Sequence, residues 1–360
     1  MCVTYHPQFK VDRLLATFCV VCALSLIVNP IPSTSLAESR LLFFVMMLGL
    51  LSPLIENDIL RIIRVRFWDS LMILLSIAVI ASCVWYVILI ISGTHSGVFT
   101  GLFTHHMLLA PIAAITFINA LSRLLHTNLK GKFTTIQKIT IPFYVLVSLS
   151  ALLMVIVAGS RAAMLATLFA IILLFWQLRS NPRKLISMIV GLITIVARCW
   201  IFTDKLFATA TRKFNVAIEH NSLTYSRDEL WQARWQEFKD SPIIGIGFAH
   251  STHFSPTWDR EKTIGADVSE PGSSWLSILS NTGILGLAIF VWFNLRQVVR
   301  MIKKKKDSKT MLFFSLWLLL IVHGFFEGWA LYAGSLTFFI YWLLMSQIHN
   351  YNNQVCSDEE

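Results

Sequence analysis

The sequence is short of charge. Asp, Glu, Lys and Arg make up 14% of its 360 residues, against roughly 25% in an ordinary soluble domain, and hydrophobic residues reach 56%. So little charge excludes a surface that faces water throughout and leaves the bilayer as the solvent. The short alternating segments of a membrane β-barrel are also missing; the apolar runs are continuous, and each is close to the ~20 residues that a spanning helix needs. Cysteine is sparse and badly placed for cross-linking: Cys2, Cys19, Cys22, Cys83, Cys199 and Cys356, with none in 203–272. That excludes a disulfide framework and zinc-like spacing outside the membrane. Cys19-x-x-Cys22 falls in an apolar helix, where packing accounts for it. No Gly-x-Ser-x-Gly occurs, so a seryl nucleophile elbow is unsupported. No carboxylate cluster has metal-ligand spacing, so neither a metal nor another cofactor is expected. No internal repeat is visible, which weighs against many transporter architectures.

What is present is a series of spans, expected at about 14–28, 36–55, 68–92, 102–122, 139–158, 162–178, 185–202, 273–295, 310–325 and 329–348. Lipid satisfies no backbone group, so these are helices, and the chain is expected to be an all-α polytopic membrane protein, one membrane domain over 1–360. The first apolar stretch runs into Asn29-Pro30-Ile31-Pro32 with no small-x-small cleavage pattern and is expected to be retained. Basic residues collect at alternate turns: Lys10 and Arg13; Arg61, Arg64 and Arg66; Arg123, Lys130, Lys132 and Lys138; Arg179, Arg183 and Lys184; and Arg296, Arg300, Lys303 to Lys306 and Lys309. Retained on the cytoplasmic side, they put both termini inside. They also account for the net charge of +10 without a nucleic-acid surface.

Residues 203–272 form the one long external loop. Trp231, Trp235, Trp258 and several phenylalanines make it too apolar for a tether. Ser226-Arg227-Asp228-Glu229 reads as a capping box that opens a helix, and Asp240-Ser241-Pro242 closes it. Arg227, Trp231, Arg234 and Phe238 then share one face. Such a stripe suits a helix at the lipid interface, where guanidinium groups meet phosphate; an amphipathic helix covering the bundle fits the same periodicity. Gly245-Ile246-Gly247 is too short for a phosphate-cradling fingerprint and is expected to be a tight turn.

Ionisable residues at span ends are functional candidates by default. On the external side these are Glu38 with Arg40, for which snorkelling and an internal ion pair suffice; Arg161 in Gly159-Ser160-Arg161; Asp267 and Glu270 before the eighth span; and His323 and Glu327, four residues apart at the end of the ninth. Gly159 and Ser160 permit close backbone approach to a ligand, and Ala162, Ala163 and Ala166 permit tight helix packing behind Arg161.

These segments resemble the O-antigen ligase and O-antigen polymerase family of bacterial membrane glycosyltransferases. The resemblance runs through Gly159-Ser160-Arg161-Ala162-Ala163-Met164-Leu165-Ala166, then Ser226-Arg227, Trp231 and Phe238-Lys239-Asp240-Ser241-Pro242-Ile243-Ile244-Gly245-Ile246-Gly247-Phe248, and ends in Ser274-Trp275-Leu276 and Thr282-Gly283-Ile284-Leu285-Gly286-Leu287. It covers roughly 155–290. It implies a C-type membrane glycosyltransferase fold in the bacterial inner membrane, with its site on the periplasmic side, and inverting, metal-independent transfer. The donor implied is a glycan on undecaprenyl pyrophosphate and the partner a glycan acceptor, with a chain-length regulator as a further candidate. The family's functional arginines match Arg161 and Arg227. Its loop histidine has no counterpart, because Gly272-Ser273 stands there.

The residue chemistry points the same way. A departing pyrophosphate needs fixed cations, and arginine forks bind phosphate oxygens bidentately; Arg161, Arg227 and Arg234 are the candidates. An attacking sugar hydroxyl needs a proton acceptor; Glu270, in the stretch where the family offers its histidine, is the first candidate, His323 and Glu327, one helical turn apart, are the competing pair, and His250 and His253 are more distant. Three functions remain open: a polymerase of lipid-linked repeat units, which is favoured; a ligase that transfers glycan to lipid A–core; and a flippase or exporter of lipid-linked glycan without chemistry.

Overall fold

The computed structural model describes residues 9–29, 36–94, 99–127, 135–176, 225–251, 272–303 and 307–357, together with Ile186, Val190, Gly191, Asn215 and Ile218. Among the described residues, regular structure is helical apart from one two-residue bridge. In chain order the elements are β1 (Lys10–Val11), α1 (Arg13–Val28), α2 (Ala37–Leu51), β2 (Ile55–Glu56), α3 (Asp58–Ile91), α4 (His106–His126), α5 (Thr135–Val157), α6 (Arg161–Trp176), α7 (Tyr225–Asp240), α8 (Ser274–Lys303), α9 (Ser308–Phe326) and α10 (Leu336–Ser357). The chain divides into two compact units. The first takes Met1–Trp68, Thr224–Lys304 and Gly324–Glu360; the second takes Asp69–Leu223 and Lys305–His323.

In the first unit α8 is the centre, packed by α1, α7 and α10, with α2 against α1 and α10. Its core is aromatic. Phe18, Phe44, Phe248, Phe293, Phe338, Tyr341 and Trp342 are all buried, and the Phe44 ring lies 5.1 Å from Phe248 and 5.8 Å from Phe338, within the range of favourable ring pairs. Asp12 caps α1, its carboxylate accepting from Leu14 N at 3.0 Å and Leu15 N at 3.1 Å and pairing with Arg296 of α8. β1 pairs antiparallel with β2, Lys10 opposite Glu56 and Val11 opposite Ile55.

In the second unit α4 is the centre. Its run from Leu109 to Leu121 is buried throughout, and α5 and α6 pack on it. Only Ala158, Gly159 and Ser160 separate α5 from α6. Gly159 has φ +61°, a left-handed value that glycine adopts without cost. Ala163, Ala166 and Ala170 are fully buried along α6, as small residues at a helix–helix contact should be.

Among the described residues, five helices are long and apolar enough to cross a membrane: Asp58–Ile91, His106–His126, Ile136–Val157, Ser274–Lys303 and Ser308–Phe326; α1 and α6 are shorter apolar helices. The described residues are thus predominantly helical and of multi-pass membrane character. The expected spans correspond to these helices with informative differences. The span expected at 36–55 stops at Leu51, because Pro53 disfavours helix at the residue before it and the Ser52 hydroxyl turns back to Leu48 O at 2.7 Å. The third helix starts ten residues before its expected position, so Arg61, Arg64 and Arg66 are helical rather than in a turn. Arg64 is buried there and donates to Gly49 O and Leu50 O, both at 2.7 Å, closing carbonyls that the end of α2 leaves open. The last helix is displaced from 329–348 to Leu336–Ser357. Its polar end is held by Asn352, whose amide donates to Gln297 O of α8 at 3.1 Å. The span expected at 185–202 lies outside the described residues.

Candidate active site

The centre of interest in the first unit is where α7, the start of α8 and the end of α9 meet. α7 already includes Tyr225, so Ser226 sits inside the first turn and not ahead of it as a capping box would require. Its exposed face carries Glu229, Gln232, Trp235 and Gln236, whereas Leu230, Arg234 and Glu237 are buried and Arg227, Trp231 and Phe238 half-buried. The arginine–aromatic stripe therefore faces protein. This corrects the expectation of a stripe lying in the headgroups and agrees with the covering helix that the periodicity also allowed.

The turn after α7 docks on a break in α8. Gly283 has φ +66° and ψ −169° inside an otherwise continuous helix, so the amides beyond it lose their helical acceptors. The turn supplies them: Ile284 N donates to Pro242 O at 2.9 Å and Leu285 N to Ile243 O at 3.4 Å. In return Ile246 N donates to Ser280 O at 2.9 Å, and Ser25 Oγ of α1 donates to Asn281 O at 2.5 Å. Asn29 Nδ2 reaches Gly245 O at 2.9 Å. A Cβ on Gly245 would stand 2.5 Å from Asn281 O, and one on Gly283 2.6 Å from Ile244 N; both positions need glycine for space as well as for φ. Gly245-Ile246-Gly247 is thus a tight turn, as expected, and Phe248 after it anchors in the core. Irregular backbone of this kind inside an apolar helix survives only where protein satisfies it.

At the other end, Gly272 has φ +67°, and a Cβ there would lie 2.7 Å from Leu230 Cβ of α7. A histidine has no room at this point of the chain. Trp231 Nε1 donates to Gly272 O at 3.2 Å. Ser274, the first residue of α8, ties down the chain that leaves α9. Its amide and hydroxyl donate to Glu327 O at 3.1 Å and 2.8 Å, and its hydroxyl accepts from Trp329 N at 2.9 Å and Ala330 N at 3.2 Å. Ser273 Oγ donates to Gly324 O at 3.4 Å. The backbone of Glu327 being fixed, its carboxylate accepts from Arg227 Nη2 at 2.5 Å; the two side chains are 12% and 17% exposed, Arg227 first. This is a sheltered but reachable ion pair.

Of the expected site residues, Arg227 and Glu327 are brought together. Arg234 is 3% exposed and committed elsewhere: its Nη1 donates to Glu237 Oε2 at 2.9 Å and to His250 O at 3.2 Å. Glu237 is fully buried and also accepts from Ser251 Oγ at 2.6 Å. His323 is buried in the last turn of α9. In the second unit Arg161 is the first residue of α6, and its Nη1 is buried without a hydrogen-bond partner among the described residues. Glu270, Asp267 and His253 lie outside the described residues. Sequence reasoning put Trp231 on the Arg227 face and Ser274 in a motif without giving either a role here, and it missed Glu237 and Asn281. Of the two missed residues, Glu237 left a usable signal, a carboxylate three residues after Arg234 on one helix face.

A family model described as O-antigen ligase matches residues 146–291. The match spans the second half of α5, α6, α7 and α8 past its break, and it contains Arg161, Arg227, Arg234 and Glu270; His323 and Glu327 lie beyond it. Over these residues the chain is similar to the O-antigen ligase family. The match supports a ligase- or polymerase-type function on lipid-linked glycans and does not separate the two. No curated protein matches the chain.

Proposed function

We propose that this protein is an inner-membrane glycosyltransferase that polymerises oligosaccharide repeat units carried on undecaprenyl pyrophosphate, acting on the periplasmic face with both termini in the cytoplasm. The observation that supports it most is the Arg227–Glu327 pair, a fixed cation and a fixed carboxylate in contact on the elements that the family match and the end of α9 supply. In the resting protein each satisfies the other. A donor pyrophosphate competes for the Arg227 guanidinium, which binds phosphate oxygens in a bidentate fork, and so releases the Glu327 carboxylate.

The transfer then balances without a metal. The acceptor hydroxyl oxygen attacks the anomeric carbon, and its proton passes to a carboxylate within reach. The bond from that carbon to the pyrophosphate oxygen breaks, and its electron pair leaves with the pyrophosphate, whose growing charge the arginine offsets. Glu327 is our first choice of base, with Glu270 and His323 as the other candidates. Arg161, in the second unit, is the other arginine that the sequence offers as a candidate for phosphate. For Arg234 the buried pair with Glu237 favours support over ligand contact.

A ligase is the second reading, favoured by the description of the matched family; the absence of room for a histidine at Gly272 favours the polymerase. Purified protein in lipid discs with an undecaprenyl-pyrophosphate-linked oligosaccharide tests both. A polymerase lengthens the glycan with that substrate alone and releases undecaprenyl pyrophosphate. A ligase does so only when lipid A–core is added. A flippase or exporter releases none, and that result would end the enzymatic reading.

A further inference from the structure

The residues of α7 that face the protein do more than present Arg227. Trp231 Nε1 holds the carbonyl of Gly272 at 3.2 Å. One to two turns on, Arg234 holds the carbonyl of His250 at 3.2 Å, and Glu237 holds the hydroxyl of Ser251 at 2.6 Å. Ser251 and Gly272 are the described residues on either side of 252–271. A single helix face therefore grips the chain on both sides of that stretch.

The grip on the first side is built to last. Glu237 is fully buried and Arg234 is 3% exposed, so removing either partner alone strands a buried charge. The Asn281 side chain closes the same corner: in the orientation that satisfies its amide, it accepts from Ala249 N at 3.1 Å and donates to His250 O at 3.2 Å. The backbone of Gly245 packs against Asn281, and Ile246 is bonded to Ser280. The segment from Gly245 to Ser251 is thereby registered on the broken helix α8 from one side and on α7 from the other. A buried ion pair contributes little net stability compared with apolar residues of the same size. Its value here is geometric, because it fixes a carbonyl and a hydroxyl of the same segment at once.

We infer that Arg234 and Glu237 are positioning residues, which together with Trp231 clamp the chain at His250–Ser251 and at Gly272 and hold it in register with Arg227. The inference rests on the glycosyl-transfer reading for its effect on turnover but not for the clamp itself. A pair that acts by placement lowers kcat and leaves donor binding alone, whereas an arginine that contacts the pyrophosphate raises the donor KM when it is removed.

The experiment uses the full-length protein in lipid discs and reads two quantities, hydrogen exchange of the amides from Ile246 to His250 and steady-state kinetics with the lipid-linked oligosaccharide. Glu237→Gln and Ser251→Ala are expected to raise exchange in that segment at least about tenfold, and to lower kcat by about tenfold to a hundredfold, as slight misplacement of reacting groups does. Donor KM should stay within about twofold. The double variant Arg234→Met/Glu237→Leu removes both charges at similar volume and is expected to keep the unfolding temperature while losing the same kcat. Wild-type exchange and kcat in Glu237→Gln, or wild-type kcat in the double variant, would overturn the inference. So would an Arg234→Met variant that keeps kcat and raises donor KM, which would make the arginine a phosphate ligand. If the wild-type protein makes no polymer while exchange responds as described, the polymerase reading fails and the clamp stands.

Discussion

Arg227 donates from Nη2 to Glu327 Oε1 at 2.5 Å, joining the first turn of α7 to the residue that follows α9, a hundred positions later in the chain. The contact is set from both sides. α7 is fastened at Gly272, His250 and Ser251, and the backbone of Glu327 is fastened by both the amide and the hydroxyl of Ser274. A pair held this firmly, with each partner still partly open, suits a site whose ligand takes one partner and frees the other.

Removing either partner should therefore cost activity before it costs the fold. Arg227→Ala is expected to lower turnover by a hundredfold or more, about 3 kcal/mol, the usual loss for one preorganised contact to developing charge. Arg227→Lys should recover little of it, because a point charge does not reproduce the fork. Glu327→Gln keeps the shape and removes the proposed base, so turnover should fall with folding intact. The exchange Arg227→Glu with Glu327→Arg restores an ion pair but points the cation from the wrong element. Polymer formed by the exchanged protein at near wild-type rate would show that the pair serves only to hold α7 in place.

The break in α8 should be intolerant of side chains. Gly283→Ala adds a Cβ 2.6 Å from Ile244 N at φ +66°, and Gly245→Ala one 2.5 Å from Asn281 O at φ +83°. Each combines a left-handed conformation, worth roughly 1–2 kcal/mol against an L side chain, with overpacking worth about 1–3 kcal/mol. A loss of about 2–5 kcal/mol follows, visible as a lower unfolding temperature in detergent and a smaller membrane-inserted yield. Gly334→Ala meets nothing within 4 Å among the described residues and is the control that should behave as wild type.

Much of the helical framework was legible because it rests on local signals. α1, α4, α5 and α9 lie within a few residues of their apolar runs, and α7 lies where a polar, aromatic-rich segment with a Ser-Pro stop placed it. The break at Gly283 was not legible. Thr282-Gly283-Ile284-Leu285-Gly286 reads as ordinary glycine in an apolar run, and the carbonyls that satisfy Ile284 and Leu285 come from Pro242 and Ile243, some forty residues earlier. The helical state of Arg61, Arg64 and Arg66 was hidden for a related reason. Their charge argued for a turn, yet Arg64 is buried because open carbonyls at the end of α2 await it. At the site, residue type picked out Arg227 and Glu327, but only tertiary structure revealed that they meet, or that Arg234 is spent on Glu237.

Orientation is testable through two exposed lysines on described helices, Lys239 on α7 and Lys303 at the end of α8. In a background without native cysteines, Lys239→Cys should react with a membrane-impermeant thiol reagent in intact spheroplasts, and Lys303→Cys should react only after lysis. The expectation comes from the basic run Arg296 to Lys309, which favours the cytoplasmic side. The reverse pattern would put Arg227 and Glu327 in the cytoplasm and remove the periplasmic glycan as substrate.

Arg161 offers a test in which stability and function are expected to separate. It opens α6 directly after Gly159 and Ser160, and its Nη1 is buried without a hydrogen-bond partner among the described residues. A buried donor left unsatisfied costs roughly 1–3 kcal/mol, a burden that persists where function needs the group. Arg161→Met keeps the length and removes the burden, so its unfolding temperature should equal or exceed that of the wild type while polymer formation falls a hundredfold or more. Arg161→Lys should also be poorly active, for want of a fork that spans two phosphate oxygens. Thermal unfolding and glycan elongation measured on the same purified samples decide the matter. An Arg161→Met protein that elongates glycan normally, or one that loses activity and unfolding temperature together, would make this arginine a structural residue.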